Sequence, residues 1–247
     1  LLPWDYSILI DSPERIEVKL WTRPIRTPFY IEKTLTMEPD LPALKISERV
    51  TNESGELLHF MWGHHIAFGR PFLEEGVVID APAKRFLVHG EIPNFGPRRF
   101  RPTAECDWPM VPTSQGGLAD ASQTPAFGKM QAQEMSYLTD LQAGWYAITN
   151  PTRKLGFGIA FDPRVFRYIW YWQQLGNVAE GYPWWSRTHT VALEPWTSYP
   201  TNGLEECIAN GTAMQLSAGG SIETSLTAVA HAGLERVNTV QLDGTVK

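Results

Sequence analysis

The sequence predicts an all-β protein, a large antiparallel β-sandwich, from three observations. Apolar and polar residues alternate along many short segments, turn-forming residues separate these segments, and no long window shows the helical repeat of about 3.6 residues. A sandwich of this class commonly forms one domain even at a length of 247 residues. We therefore expect residues 1–247 to be a single domain.

A group of strands is expected in the N-terminal quarter of the chain. Ile16–Trp21 alternates apolar and polar residues, as a half-buried strand should. Further strand candidates lie at 29–37, 43–52 and 57–62. The polar segment Asn52–Gly55 has the composition of a hairpin connection between two of them. These segments predict an antiparallel meander.

The middle of the chain, residues 93–128, is rich in Pro, Gly, Ser and Thr and shows little periodicity. We interpret it as a long surface excursion from the domain. Strand patterns return afterwards at 135–141, 144–150, 155–161, 165–174, 188–194, 213–216 and 221–230. Residues 204–210 could form a short helix.

Composition and charge exclude several classes of function. Hydrophobic residues make up 43% of the chain and charged residues 19%, as in an ordinary globular protein. A net charge of -6 without a long basic run offers no footprint for nucleic acid, and no segment approaches the roughly 20 apolar residues that span a bilayer. Two cysteines, Cys106 and Cys207, favour a reducing compartment, here the cytoplasm. The start at Leu1 is compatible with an N-terminal segment that precedes it.

Two adjacent histidines, His64 and His65, follow the strand candidate at 57–62. Imidazole can donate or accept a proton near neutral pH, which makes either residue a candidate acid or base. Neighbouring residues of a strand point to opposite faces, so only one of the two should reach a given cleft. Packing or hydrogen bonding alone would account for them about equally well. A metal site is not expected, because no further ligands stand at suitable spacing.

Glu194 ends the apolar run Val191–Leu193, and Trp196 follows two residues later. Burial of an unpaired carboxylate costs several kcal/mol or forces it to hold a proton, so this position favours a catalytic role. A salt bridge to an arginine such as Arg187 or Arg153 is the alternative.

Aromatic residues stand close to both groups in the sequence. Indole rings offer flat apolar surfaces that suit the C–H faces of a sugar, and the candidates are Trp62, Trp172 and Trp196. Gln173 follows Trp172, where its amide could bond to sugar hydroxyls. Aromatic strands packed in the core would explain about half of the rings as an alternative.

Together these patches resemble the galactose mutarotase (aldose 1-epimerase) superfamily, whose members share a β-supersandwich. The acid histidine of the superfamily lies in a motif of the type Asn-His-x-x-Phe, and Gly63–Phe68 is similar, with His65 the closer match and His64 the second. The superfamily's base is a glutamate on a late strand, which Glu194 matches in order and context.

The resemblance spans roughly residues 16–230, and its motifs are short. One departure lies upstream of the histidine motif. The superfamily usually carries an Asn-Arg pair and another histidine there, and these have no clear counterpart between Leu1 and Met37.

The resemblance implies an aldose 1-epimerase that interconverts the α and β anomers of a sugar by opening its ring. Glu194 would take the proton of the anomeric hydroxyl, while His65, across a cleft, gives a proton to the ring oxygen. The residues that would contact the sugar are His64, Trp62, Trp172, Gln173 and Trp196. The resemblance implies no metal or organic cofactor, a small sugar as the partner, and a monomer or a homodimer.

Two other functions are open at this point. The same supersandwich occurs in polysaccharide lyases and glycosidases, so the chain could be a domain of such an enzyme. The net charge of -6 does not favour a lyase for an acidic polymer. A noncatalytic carbohydrate-binding module would keep the indole faces and tolerate loss of the acid and the base.

Overall fold

The computed structural model describes residues 3–91 and 96–247, whose regular secondary structure is almost all β-strand. The strands are β1 Asp5–Ser12, β2 Arg15–Thr22, β3 Phe29–Met37, β4 Ala43–Asn52, β5 Leu58–Phe60, β6 Ala67–Gly69, β7 Val78–Asp80, β8 Ala83–Val88, β9 Glu105–Asp107, β10 Met110–Pro112, β11 Leu118–Asp120, β12 Ala132–Leu141, β13 Trp145–Asn150, β14 Leu155–Phe161, β15 Tyr168–Leu175, β16 Thr190–Trp196, β17 Met214–Leu216 and β18 Ser221–Ala232. The helix is α1 Leu204–Ala209.

Two large antiparallel sheets form the protein. The first has eight strands in the order β1-β2-β3-β4-β18-β14-β13-β7, and the second has six in the order β6-β16-β15-β12-β8-β9. Two short pairs, β10 with β11 and β5 with β17, complete the topology. The predicted fold class, a large antiparallel β-sandwich, is confirmed.

The main core lies between the two large sheets. Ile148 and Ile159 of the eight-stranded sheet belong to the same buried cluster as Ile169 and Tyr171 of the six-stranded sheet. Since side chains alternate along a strand, the residues between these on β15 point away from this core. That outer face of the six-stranded sheet carries the candidate site.

Most predicted strands appear with shifted ends. The predictions at 29–37, 43–52 and 155–161 match β3, β4 and β14, and the helix predicted at 204–210 is confirmed as α1. The strand predicted at 57–62 is shortened to β5, because the chain leaves the sheet after Phe60 and runs toward β16. The strands β1, β6, β7 and β8 were not predicted.

The prediction that residues 93–128 form a surface excursion is wrong in part, and residues 92–95 lie outside the described part of the chain. This segment forms β9, β10 and β11. It also buries Phe100 and Val111 completely in the main core. Each of its strands has three residues, which is too short to show the alternation that marks a strand in a sequence.

The helix α1 is six residues long and carries Cys207 into the interior, where its thiol is free, as is that of Cys106. Over residues 3–91 and 96–247, no helix combines the length and the hydropathy that crossing a membrane requires.

Candidate active site

A cavity of about 470 Å³ lies on the outer face of the six-stranded sheet. Its lining includes three indole rings and two candidate acid–base residues, namely Trp170, Trp172, Trp196, His65 and Glu194. We call this cavity the indole pocket. A concave, mostly apolar surface with a few polar groups is the usual form of a site for a small ligand.

The strand register brings these side chains to one face. Trp170 of β15 lies opposite Glu194 of β16, and Trp172 lies opposite Met135 of β12. Residues two apart on a strand share a face, so Trp196 lies beside Glu194. Strands β15 and β16 therefore supply the three indole rings and Glu194, and His65 comes from outside these strands.

Glu194 is almost fully buried, with 4% of its side chain exposed. Its Oε2 accepts a hydrogen bond of 2.9 Å from the indole Nε1 of Trp196, and its Oε1 lies 3.5 Å from Nε2 of His65. Burial raises the pKa of Glu194, and the contacts with Trp196 and His65 offset this only in part. The group is therefore a carboxylate that holds a proton more readily than an exposed one.

His65 approaches Glu194 from the segment between β5 and β6. Its side chain is 59% exposed, and its ring meets the indole of Trp172 edge to face at 5.8 Å between centroids. The sequence predicted that Glu194 and His65 face each other across a cleft. The structure corrects this, since the two groups adjoin each other on one wall of the pocket.

Trp196 is held between a second indole and a glycine. Its ring stacks on that of Trp170 at 4.1 Å, with 13° between the planes. On its other side the backbone of Gly63 forms a β-bridge with Trp196, and a Cβ at Gly63 would overlap the indole ring. Gly63 is therefore needed for the close approach that fixes the partner of Glu194.

His64 points away from the indole pocket, which confirms that the two histidines face opposite directions. Its Nε2 lies 2.8 Å from Oε2 of Glu48, and its ring packs on Phe166. The prediction of His64 as a sugar contact is thereby corrected. The side chain is engaged on the side of the eight-stranded sheet, to which Glu48 belongs.

Two further predicted contacts also lie outside the pocket. Gln173 is fully buried on the core face of β15, where its Oε1 accepts a hydrogen bond of 3.0 Å from Arg99. Trp62 lines a different cavity, of about 420 Å³, and meets Phe166 edge to face. Both positions correct the prediction. Gln173 stands one residue from Trp172, and this odd spacing places it on the opposite face.

The salt bridge considered as an alternative role for Glu194 is not formed. Arg153 pairs with Glu74, and among the described residues the carboxylate of Glu194 meets only Trp196 and His65. No group of three or more His, Cys, Asp or Glu side chains in residues 3–91 and 96–247 is placed to hold a metal ion.

Several pocket residues were not predicted from the sequence. Met61 and Met135 add apolar surface, and Thr201 and Gly203 line the rim. Met135 lies opposite Trp172 in the pairing of β12 with β15, and the sequence does not reveal this register. Thr201 and Gly203 belong to a loop, and the sequence carries no signal for where it lies.

Solved structures with a similar fold come from several bacteria. A provisionally assigned aldose 1-epimerase of Klebsiella pneumoniae superposes with a TM-score of 0.64 at 18% identity, over 91% of this chain and 53% of that chain. Another from Escherichia coli gives a TM-score of 0.61 at 15% identity, over 93% and 69%. A galactose mutarotase-like protein of Clostridium acetobutylicum gives 0.58 at 14% identity, over 93% and 67%.

These structures show that the chain has the galactose mutarotase-like fold, and it spans about half the length of the Klebsiella protein. No curated protein matches the sequence significantly. The sequence profile of one family matches residues 21–229, most of the chain. The protein therefore belongs to the family described as a domain of unknown function, DUF4432.

Proposed function

We propose that this protein is an isomerase of the aldose 1-epimerase type, which interconverts the α and β anomers of a small sugar. The observation that carries the proposal is the 3.5 Å approach of His65 Nε2 to Glu194 Oε1 inside the indole pocket. The two groups offer a proton acceptor and a proton donor beside flat apolar surfaces. The galactose mutarotase-like fold supports the same reaction class.

In the forward direction Glu194 accepts the proton of the anomeric hydroxyl, O1. Its raised pKa makes it a better proton acceptor than an exposed carboxylate, because a general base works best when its pKa approaches the working pH. As that proton leaves, a C=O double bond forms between C1 and O1, and the bond between C1 and the ring oxygen O5 breaks. His65 protonates O5, which becomes a hydroxyl of the open-chain aldehyde.

The adjoining positions of His65 and Glu194 suit this step. O1 and O5 are both bonded to C1. The oxygen that gives its proton to Glu194 therefore lies close to the oxygen that receives a proton from His65. Rotation about the bond between C1 and C2 then presents the other face of the aldehyde, and the two residues reverse their roles for ring closure. Ring closure returns a proton from Glu194 to O1 and a proton from O5 to His65, so both side chains are regenerated and no other reactant is needed.

The indole rings orient the sugar in this proposal. Trp172 lies beside His65, and the stacked pair of Trp170 and Trp196 lies beside Glu194. Aromatic faces of this kind pack against the C–H faces of a sugar ring. The two free cysteines support the cytoplasm, a reducing compartment, as the place of the reaction.

Burial of a carboxylate favours the catalytic function over a noncatalytic binding module. Desolvation of Glu194 carries a cost in stability that sugar binding alone does not require, since exposed amides or hydroxyls bind sugars as well. Perturbed carboxyl groups in clefts are concentrated at catalytic sites.

Polarimetry tests the proposed function. Freshly dissolved single anomers of a panel of aldoses, including phosphorylated ones, relax slowly in buffer, and the protein should accelerate at least one of them. His65→Asn and Glu194→Gln should each lower the enzymatic rate about 10²–10⁴-fold. His59→Asn is the matched control, because His59 lies outside the indole pocket and bonds to Gln215.

The outcomes separate the candidate functions. If no sugar of the panel relaxes faster than in buffer, the epimerase proposal is wrong. Sugar binding measured by calorimetry that persists without any acceleration would identify a carbohydrate-binding module instead.

A further inference from the structure

A second cavity, of about 610 Å³, adjoins the indole pocket on the same outer face of the six-stranded sheet. Its lining includes His89, Tyr137, Tyr199, Asn202 and Glu206. We call this cavity the Tyr137 cleft. Its volume lies in the range of small-ligand sites, which is roughly 300–1,000 Å³.

The two cavities share a wall. Trp170 of the indole pocket meets the ring of Tyr137 edge to face at 5.8 Å, and Met135 and Tyr137 lie two residues apart on one face of β12. Thr201 lines the indole pocket and donates its backbone N–H to the hydroxyl of Tyr137 at 3.0 Å. Its chain neighbours, Pro200 and Asn202, line the Tyr137 cleft. The cleft therefore begins where the indole pocket ends.

The chemistry of the cleft suits a ring with several hydroxyl groups. The amide nitrogen of Asn202 donates a hydrogen bond to Oε2 of Glu206. The amide oxygen of Asn202, the other oxygen of Glu206 and the carboxylate of Glu105 can accept hydrogen bonds from a ligand. Nδ1 of His89 lies 2.8 Å from the hydroxyl of Tyr137. Burial and the nearby charge of Arg98 lower the pKa of His89, so its ring is a neutral donor and acceptor. Tyr199 adds aromatic surface.

The charge of the cleft excludes an anionic ring. Glu91, Glu105 and Glu206 are its charged lining residues, and none of the described residues that line it is Lys or Arg. Arg98 lies close by, but its guanidinium is bound to Glu134 and to the carbonyls of His89 and Gly90. A phosphate or carboxylate on the ligand would meet carboxylates without a free cation.

We propose that the Tyr137 cleft binds the second ring of a neutral reducing oligosaccharide whose reducing-end ring occupies the indole pocket. The inference rests on the proposed function, because that function places the anomeric carbon at His65 and Glu194. The second ring is joined through another hydroxyl of the first ring, on the side of Thr201. The substrate class is thus a reducing disaccharide or longer saccharide.

Binding experiments test the cleft independently of catalysis. Indole fluorescence titrations compare the reducing disaccharides lactose, maltose and cellobiose with galactose and glucose. At least one disaccharide should bind about tenfold more tightly than its own reducing-end monosaccharide, the gain expected of one or two added hydrogen bonds to charged groups. If each disaccharide binds no better than glucose, the cleft is not a sugar subsite.

Variants of the cleft residues show which side chains provide the tighter binding of the disaccharide. Glu206→Gln and Asn202→Ala should each lower the ratio of disaccharide to monosaccharide affinity about threefold to tenfold. Glu205→Gln is the matched control, since Glu205 is its exposed neighbour on α1 and does not line the cleft. Thermal melts establish that each variant is folded. An unchanged ratio in both folded variants would overturn the proposal.

A charged probe tests the predicted neutrality. A disaccharide with a glucuronate as its second ring should bind more weakly than cellobiose, and added salt should narrow the difference. Equal or tighter binding of the uronate would contradict the assignment. Polarimetry with the same sugars reports on the epimerase proposal alone, so failure of that reaction and failure of the cleft are distinguishable.

Discussion

His64 and Glu48 are joined by a hydrogen bond of 2.8 Å between Nε2 and Oε2, and this pair connects the histidine segment to the eight-stranded sheet. The other oxygen of Glu48 lies 2.6 Å from the ammonium of Lys33, and the carboxylate is fully buried. The backbone N–H of His64 also bonds to the carbonyl of Pro195, next to Glu194. The histidine that faces away from the pocket thereby fixes the backbone that presents His65.

Glu48→Gln should lower the free energy of unfolding by about 1–3 kcal/mol, because the ammonium of Lys33 loses its buried acceptor charge. Urea denaturation measures the change. Glu223→Gln is the matched control, since Glu223 lies on the neighbouring strand, is 68% exposed and pairs with Arg49. That exposed change should stay within about 0.5 kcal/mol. Equal effects of the two variants would contradict a structural role for Glu48.

The contribution of Glu48 should also depend on pH. Burial alone would raise its pKa, but the hydrogen bond and charge of His64 and the charge of Lys33 outweigh burial and hold the pKa below the ordinary 4.5. A lowered pKa means that the folded state favours the carboxylate. Its stabilisation is therefore present above pH 4.5 and is lost as the pH falls through the folded-state pKa. The difference in stability between the protein and Glu48→Gln should shrink in urea titrations below that pH.

Gly63→Ala should disturb the indole pocket, because the added Cβ would overlap the ring of Trp196. Overpacking of this kind costs about 1–3 kcal/mol, and displacement of Trp196 removes a hydrogen bond from Glu194. We expect a loss of mutarotation of about tenfold or more in polarimetry. Gly55→Ala is the matched control, since a Cβ there meets nothing within 4 Å. If Gly63→Ala behaves like Gly55→Ala, the close packing of Trp196 is not required.

The acidic limb of the pH profile of kcat/KM should reflect Glu194. Burial raises the pKa of this group above the ordinary 4.5, and the base must be ionised to act. The rate should therefore fall as the pH drops, with a midpoint above 4.5. Trp196→Phe removes the indole N–H that lowers the pKa, so the limb should shift to higher pH. A midpoint at or below 4.5 in both proteins would argue against Glu194 as the base.

The sequence predicted the fold class. The structure brings His65 and Glu194 together in one pocket. Contacts that depend on the tertiary structure could not be predicted from the sequence. Alternation identified β3 and β4 because these strands are long and only partly buried. It failed for the three-residue strands between 105 and 120, whose length conceals any period. Trp62 stood close to His65 in the sequence, yet the chain turns between them and places Trp62 at another cavity.

The faces of β15 provide a direct test of the corrected site. Trp172 points into the indole pocket, whereas its neighbour Gln173 points into the core and accepts a hydrogen bond from Arg99. Trp172→Ala should weaken binding of the sugar that responds most strongly in polarimetry about tenfold, because an aromatic face is lost.

Gln173→Ala should act on stability instead of sugar affinity. The variant leaves a buried guanidinium N–H of Arg99 without its acceptor, which should cost about 1–3 kcal/mol in urea denaturation. Calorimetry should find its sugar affinity within about twofold of the unmodified protein, because no atom of Gln173 lines the pocket. A loss of affinity as large as that of Trp172→Ala would mean that the core face of β15 reaches the sugar, which the alternation of side chains along the strand forbids.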